Sequence, residues 1–191
     1  MHALAFVNKA YFENYCGYGP YAENYVYHSG IEHCIEIVEQ LGVRVESVVV
    51  LGTATGEVLR HFHDAWRVLP AGCEISRWAH ARIPARFRTR IRCTDMRRYV
   101  PQLIRMRQHF DLLFSNSFMY LDAQELPGFI RSLSGLCGHL HYWGSTIEDH
   151  EEGDAYRVTL RSRAWWNQVF RANGFARTRS PYLWRSLQLG C

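Results

Sequence analysis

Residues 48–57, VVVLGTATGE, constrain this chain more than any other stretch. Val48 to Leu51 are four consecutive apolar residues, the pattern of a strand buried on both faces. Gly52, Thr53, Ala54, Thr55 and Gly56 are small, and Val58, Leu59 and Phe62 follow at helical spacing. A strand that turns through small residues into a helix leaves the first amide groups of that helix without partners. They face whatever lies above the sheet edge, with the positive end of the helix dipole behind them. The small side chains let a ligand approach the backbone closely.

The next strand is expected in the run Leu69 to Cys73, and Glu74 follows it. An acid at the end of the second strand of a nucleotide-binding αβ unit accepts hydrogen bonds from ribose hydroxyls. The dinucleotide spacing G-x-G-x-x-G maps onto Gly52, Ala54 and Glu57. Glu57 would then face a pyrophosphate with like charge, which is unfavourable in a poorly solvated pocket. The compact G-x-A-x-G spacing fits better. On these residues the chain resembles the Rossmann-like S-adenosylmethionine-dependent methyltransferases, whose first motif is a hydrophobic strand followed by (D/E)-x-G-x-G-x-G. Two positions depart from that motif: Val50 stands where the acid is usual, and Ala54 where the middle glycine is.

Further along, the order of elements follows the same scheme. Ile31, Cys34, Ile35, Val38 and Leu41 have helical spacing, and Gly42 supplies the stop. Ser76 is a helix N-cap candidate for a segment through Ile83, before Pro84. Arg88, Arg90 and Arg92 alternate with Thr89, Ile91 and Cys93, predicting a third strand that ends at Thr94, Asp95 and Met96. Asp95 is equally placed to cap the helix that begins nearby and continues through Val100, Leu103 and Ile104. Phe110 to Phe114 is a short apolar strand running into Ser115 and Asn116. Leu126 to Leu136 reads as a helix with Pro127 in its first turn, Gly138 to Tyr142 as a fifth strand, and Leu160 to Ala172 as a further helix. Residues 175–178 and 182–189 supply two closing strands. This alternation predicts an α/β fold: a doubly wound, mostly parallel, seven-stranded sheet with helices on both faces. The chain is read as one domain, 1–191, with an aromatic lid over 1–30 and a core over 31–191.

The resemblance implies roles for particular residues. Gly52, Thr53, Ala54, Thr55 and Gly56 would hold the methionine end of S-adenosylmethionine and Glu74 the ribose, with Ile75 also among the cofactor-binding residues. Asp95 would accept from the adenine amino group while Met96 packs on the ring. Asn116, in FDLLFSNSFMYLD, would face both cofactor and acceptor. Base-methylating relatives carry (N/D)-P-P-(Y/F) there; SNSF has the Asn and the aromatic without the prolines. Residues 11–27 carry seven aromatics interrupted by Gly17, Gly19 and Pro20. They suit a lid, and Tyr11 and Tyr15 could place ring faces near a sulfonium cation. An acceptor that carries a proton needs a base within reach. His141 is the first choice because its ordinary pKa lies nearest neutrality; Tyr120, Glu148 and Tyr21, reaching in from the lid, are the others.

Composition narrows the remaining choices. A 48% hydrophobic and 21% charged chain is that of a folded globular protein. No apolar run is long enough to span a membrane, and residues 1–10 lack the pattern of a signal peptide, so a cytoplasmic location is expected. Cys16, Cys34, Cys73, Cys93, Cys137 and Cys191 show no metal-ligand spacing and read as free thiols. The net charge of +4 is uneven: ten arginines and a single acid, Asp95, lie between Arg77 and Arg107. The first expectation is a small-molecule acceptor with no membrane partner. RNA or another macromolecule as acceptor, using the arginine stretch, is one alternative. A non-catalytic domain that binds the cofactor or its demethylated product is the other, suggested by Val50 and Ala54.

Overall fold

A computed structural model describes residues 9–14, 19–21, 23, 30–144, 146–147 and 156–189. In chain order, these form α1 (Lys9–Glu13), α2 (Ile31–Gln40), β1 (Val48–Leu51), α3 (Glu57–Trp66), β2 (Ala71–Glu74), α4 (Arg77–His80) and α5 (Ala85–Arg88). β3 (Ile91–Cys93), α6 (Met96–Arg105), β4 (Phe110–Ser115) and a 3₁₀ turn (Phe118–Tyr120) follow. The chain closes with α7 (Leu126–Leu133), β5 (Cys137–Tyr142), α8 (Arg163–Ala172), β6 (Phe175–Arg177) and β7 (Leu183–Ser186).

Among the described residues the strands make one seven-stranded sheet in the order β3-β2-β1-β4-β5-β7-β6. β1 to β5 run parallel, and β7 is antiparallel to both β5 and β6. β1 is an interior strand, beside the central β4, because its four residues are all buried, apolar and β-branched or Leu, with no polar face to turn outward. The order reverses direction between β1 and β4, so the connections leaving their C-terminal ends run to opposite faces of the sheet and leave a crevice between them, the place where ligands bind in open α/β sheets.

Each face of the sheet has its own core. Val49, Leu51, Leu113, Leu140, Tyr142 and Trp184 point to one side and pack with α6, α7 and α8. Val48, Val50, Leu112, Phe114 and Leu183 point to the other and pack with α2, α3 and the segment through α4 and α5. Gly72 lets β2 lie against β1, because a Cβ there would collide with the Val50 carbonyl oxygen.

Several elements are shorter than the sequence suggests. The third strand covers only Ile91–Cys93, whereas Arg88 closes α5 and donates twice, through Nε and Nη2, to the Ile83 carbonyl at 3.0 and 2.7 Å. The alternation over 88–93 therefore begins three residues too early. The helix after Ser76 ends at His80 rather than Ile83, although the Ser76 hydroxyl does accept from the Ala79 amide. α8 starts at Arg163, where Ser162 caps the Trp165 amide. α7 stops at Leu133. Cys34, Cys73, Cys93 and Cys137 are free. No helix of the described residues is long and apolar enough to cross a membrane.

Candidate cofactor and acceptor site

The turn after β1 is built from left-handed backbone. Gly52 (φ 85°), Ala54 (φ 49°) and Gly56 (φ 96°) all have positive φ. Glycine takes that conformation freely, while Ala54 gives up about 1 kcal/mol to adopt it. A Cβ at Gly52 would overlap the Ser117 hydroxyl, so this glycine also keeps β1 and the segment after β4 close. The amides of Gly52 and Thr53 donate to the Cys73 carbonyl at 3.0 and 3.2 Å, tying the turn to β2.

The strain at Ala54 is met by Glu74. Its Oε2 accepts from the Ala54 amide at 2.7 Å, and its Oε1 from the Ser76 amide at 2.8 Å. A single carboxylate thus joins the turn after β1 to the turn after β2. Glu74 is 4% exposed, and burial pushes its pKa up to about 7 against the opposing pull of the surrounding backbone amides. An ionised carboxylate has about four acceptor sites, and these two amides occupy one on each oxygen. Thr53 adds a buried hydroxyl with no hydrogen-bond partner. Glu57 does not face the turn as a free charge: its Oε2 accepts from the Thr55 hydroxyl at 2.6 Å, with Arg60 3.7 Å from the other oxygen.

Asp95 caps α6 through the Arg97 amide at 2.8 Å, and the Arg97 guanidinium grips the same carboxylate. Arg97 also reaches Glu125 at 3.5 Å. Met96 packs half-buried on the core of its face, and Ile75 is half-buried. On the far side of the crevice, the Ser115 hydroxyl donates to the Leu51 carbonyl at 2.9 Å, fastening the tip of β4 to the tip of β1. Asn116 Oδ1 accepts from the Trp143 amide at 3.2 Å, which links the segments after β4 and β5.

Of the aromatic stretch, the described residues Tyr11, Phe12 and Tyr21 lie at this edge. Phe12 stacks on Trp78 of α4 at 5.5 Å, and the Tyr11 and Tyr120 hydroxyls are 2.9 Å apart. Tyr11 also meets Tyr21 at 6.2 Å and Tyr156 at 5.7 Å. α1 therefore touches the β2 side through Phe12 and the β4 side through Tyr11. Tyr15 and Glu148 fall outside the described residues.

His141 is not where the sequence reading wants it. It pairs in register with Phe114 and Leu183, and Phe114 pairs with Val50, so the four form one row facing α2 and α3. Its ring stacks on Phe114 at 5.1 Å and is wholly buried, with neither nitrogen hydrogen-bonded. Burial, with His33 adding a smaller effect, lowers its pKa to about 3. A buried imidazole stacked on Phe114 and too weakly basic to take up a second proton near neutrality is a core residue, not a general base. Trp78, Ser115, Ser117 and Trp143 were not foreseen as site residues; the two tryptophans carry a cue in their size, while the serines carry none.

No family model matches the chain, and no curated protein matches it in sequence. Solved structures do match in three dimensions. DesVI of Streptomyces venezuelae is 18% identical with a TM-score of 0.60, the match covering 86% of this chain and 92% of that one. Magnesium protoporphyrin IX methyltransferase (ChlM) from Synechocystis PCC 6803, solved with bound SAH, is 15% identical with a TM-score of 0.58, over 83% and 80%. The cyclopropane synthase MmaA2 from Mycobacterium tuberculosis is 14% identical with a TM-score of 0.56, over 76% of this chain and 61% of its own. Strand order, the antiparallel β7 and these likenesses agree: the chain has the fold of the Rossmann-like, class I S-adenosylmethionine-dependent methyltransferases.

Proposed function

We propose that the protein transfers a methyl group from S-adenosylmethionine to a small-molecule acceptor. The observation that carries this reading is the left-handed turn over Gly52–Gly56, braced by Glu74. Glu74 would share its carboxylate between the backbone amides around it and the ribose hydroxyls. The orphaned Thr53 hydroxyl offers a buried polar contact at the same corner. The cofactor would supply an electrophilic methyl on a sulfonium, and the chain's own task is alignment and exclusion of water. Gly52 to Gly56 would carry the methionine end. Asp95, with Met96, would serve the adenine once the Arg97 guanidinium swings off the carboxylate, whose two oxygens Arg97 now engages through four contacts. Tyr11, held by Tyr120, would close the crevice from above. Of the candidate bases, Tyr120 is the one this reading retains, since its hydroxyl stands just beyond β4; Tyr21 is packed edge-on against Phe12 at 5.2 Å.

Calorimetric titration with S-adenosylmethionine, S-adenosylhomocysteine and NAD tests the proposal. Heat from the first two and none from NAD is expected; selective heat from NAD would reassign the crevice.

A second reading keeps the cofactor and makes the acceptor RNA. All ten arginines from Arg77 to Arg107 are exposed. Arg82 lies over Trp78, Arg88 is bonded to backbone and Arg97 is paired. The other seven have no ion pair among the described residues. Salt-dependent RNA binding lost when Arg90 and Arg92 become Gln would favour this acceptor, and no binding at low salt would remove it.

A further inference from the structure

A cavity apart from the β1–β2 corner lies between the end of β5, β7 and the first turns of α8. Tyr142, Trp166, Phe170 and Tyr182 make aromatic walls, and Arg163 and Asn167 add polar groups. The space open to water-sized groups is about 20 Å³, room for one or two oxygen atoms.

Among the described residues, two side chains of that wall carry a buried polar atom with no hydrogen-bond partner: the Tyr142 hydroxyl and the Trp166 indole Nε1–H. Both side chains are buried, 5% and 3% exposed, and their rings are 4.7 Å apart. An indole N–H is a donor only, and a buried donor left unpaired costs its full desolvation. What is missing from this wall is therefore an oxygen acceptor. Arg163 lines the same cavity, donates to the Tyr182 hydroxyl at 3.3 Å and lies over the Tyr182 ring at 5.6 Å. A guanidinium lining the same cavity as these two side chains favours an anion over a neutral oxygen or a water.

We propose that this cavity takes the carboxylate of a small organic acid, with Trp166 and Tyr142 donating to its oxygens and Arg163 supplying the charge. Only the head group fits, so the rest of the acid lies outside. Tyr142 pairs with Ser115 at the strand ends, and the next residue, Trp143, donates to Asn116. The cavity thus adjoins the crevice, and the acid it holds is the methyl acceptor. That last placing rests on the methyl-transfer reading; carboxylate binding does not.

The test is heteronuclear NMR of the indole N–H groups in the full-length chain without cofactor, titrated with sodium benzoate and with benzamide, its neutral counterpart of similar shape. The Trp166 resonance is the one lost in Trp166→Phe. Benzoate is expected to shift it saturably in the millimolar range. Benzamide should bind at least about 10-fold more weakly, and Tyr142→Phe and Arg163→Gln should each weaken benzoate about 10-fold. Tyr142→Phe removes an atom with no partner, so its melting temperature should equal or exceed the parent's. Absence of a saturable Trp166 shift, or equal shifts with benzamide, would overturn the proposal. A benzoate shift in a protein that gives no heat with S-adenosylmethionine would unseat the methyl-transfer reading and leave the carboxylate site standing.

Discussion

The two halves of the sheet edge hold their sites by different means. On the β1–β2 side the shape is set by backbone: three left-handed residues, two glycines with no room for a Cβ, and one carboxylate that binds amides from both turns. On the β4–β5–β7 side it is set by side chains, with Asn116 on a backbone amide, Tyr120 on Tyr11, and aromatic walls around Tyr142 and Trp166. Backbone shape tolerates few residue types, because φ and close approach exclude almost everything but glycine. Aromatic packing tolerates many, because volume can be supplied from several positions. The first half is therefore suited to a ligand that does not change, and the second to one that differs between proteins of this fold.

Matched substitutions across the two halves put that contrast at risk. The largest difference should come from glycines in strands. Gly72→Ala drives a Cβ into the Val50 carbonyl and should cost about 3 kcal/mol, whereas Gly138→Ala in β5 meets only the Asp111 carbonyl at 3.4 Å and should cost under about 1 kcal/mol. Denaturant midpoints measure both, and equal losses would erase the distinction.

Next comes ligand affinity. Glu74→Ala should weaken S-adenosylmethionine binding by roughly 1–3 kcal/mol, since it strands two amides as well as the ribose. Asn116→Ala should cost less than about 1 kcal/mol in the same titration. A reversed order would mean that side chains, not the braced turn, hold the cofactor.

The buried acid and the buried imidazole then separate the halves by pH. Glu74 has a folded pKa raised to about 7, so the native state binds the extra proton and stability falls as pH rises from its ordinary value toward 7. His141 has a folded pKa lowered to about 3, so stability is full above its ordinary value and is lost as pH falls below it. His141→Phe should remove that acid loss, gaining about 1.4 kcal/mol over the parent near pH ~5.5 relative to neutral pH, in thermal melts. It should also leave the proposed methyl transfer intact; loss of that activity with a native melt would restore the imidazole to the reaction. The smallest effect is expected at α1, where Tyr11→Phe should cost about 0.5–1 kcal/mol and should not add to Tyr120→Phe. Full additivity would mean the two hydroxyls do not depend on each other.

The same contrast decides what could be read from residues alone. The turn over Gly52–Gly56 and the acid at Glu74 are legible because their positions are fixed by backbone geometry, which leaves a mark in residue type. Ser76 and Asp95 are legible as caps for the same reason. His141 is not. Strand alternation puts it opposite Leu140 and Tyr142, but a parallel sheet has a core on each face, so alternation does not say that either face is wet. Only its pairing with Phe114 and Leu183 shows the imidazole to be enclosed. The start of the third strand was misplaced because Arg88 turns back on Ile83, a local contact that mimics strand alternation. The sharing of one carboxylate by Ala54 and Ser76 leaves no trace in sequence, since Glu74 looks the same whether it waits for a ligand or is already engaged.

That engagement has a thermodynamic corollary. A carboxyl poised at about 7 is partly protonated in the free protein at neutral pH. A ligand whose hydroxyls donate to it favours the ionised form and drives the proton into solvent. Association heats should then vary with the ionisation enthalpy of the buffer, and complex formation should tighten as solutions become more alkaline through neutrality.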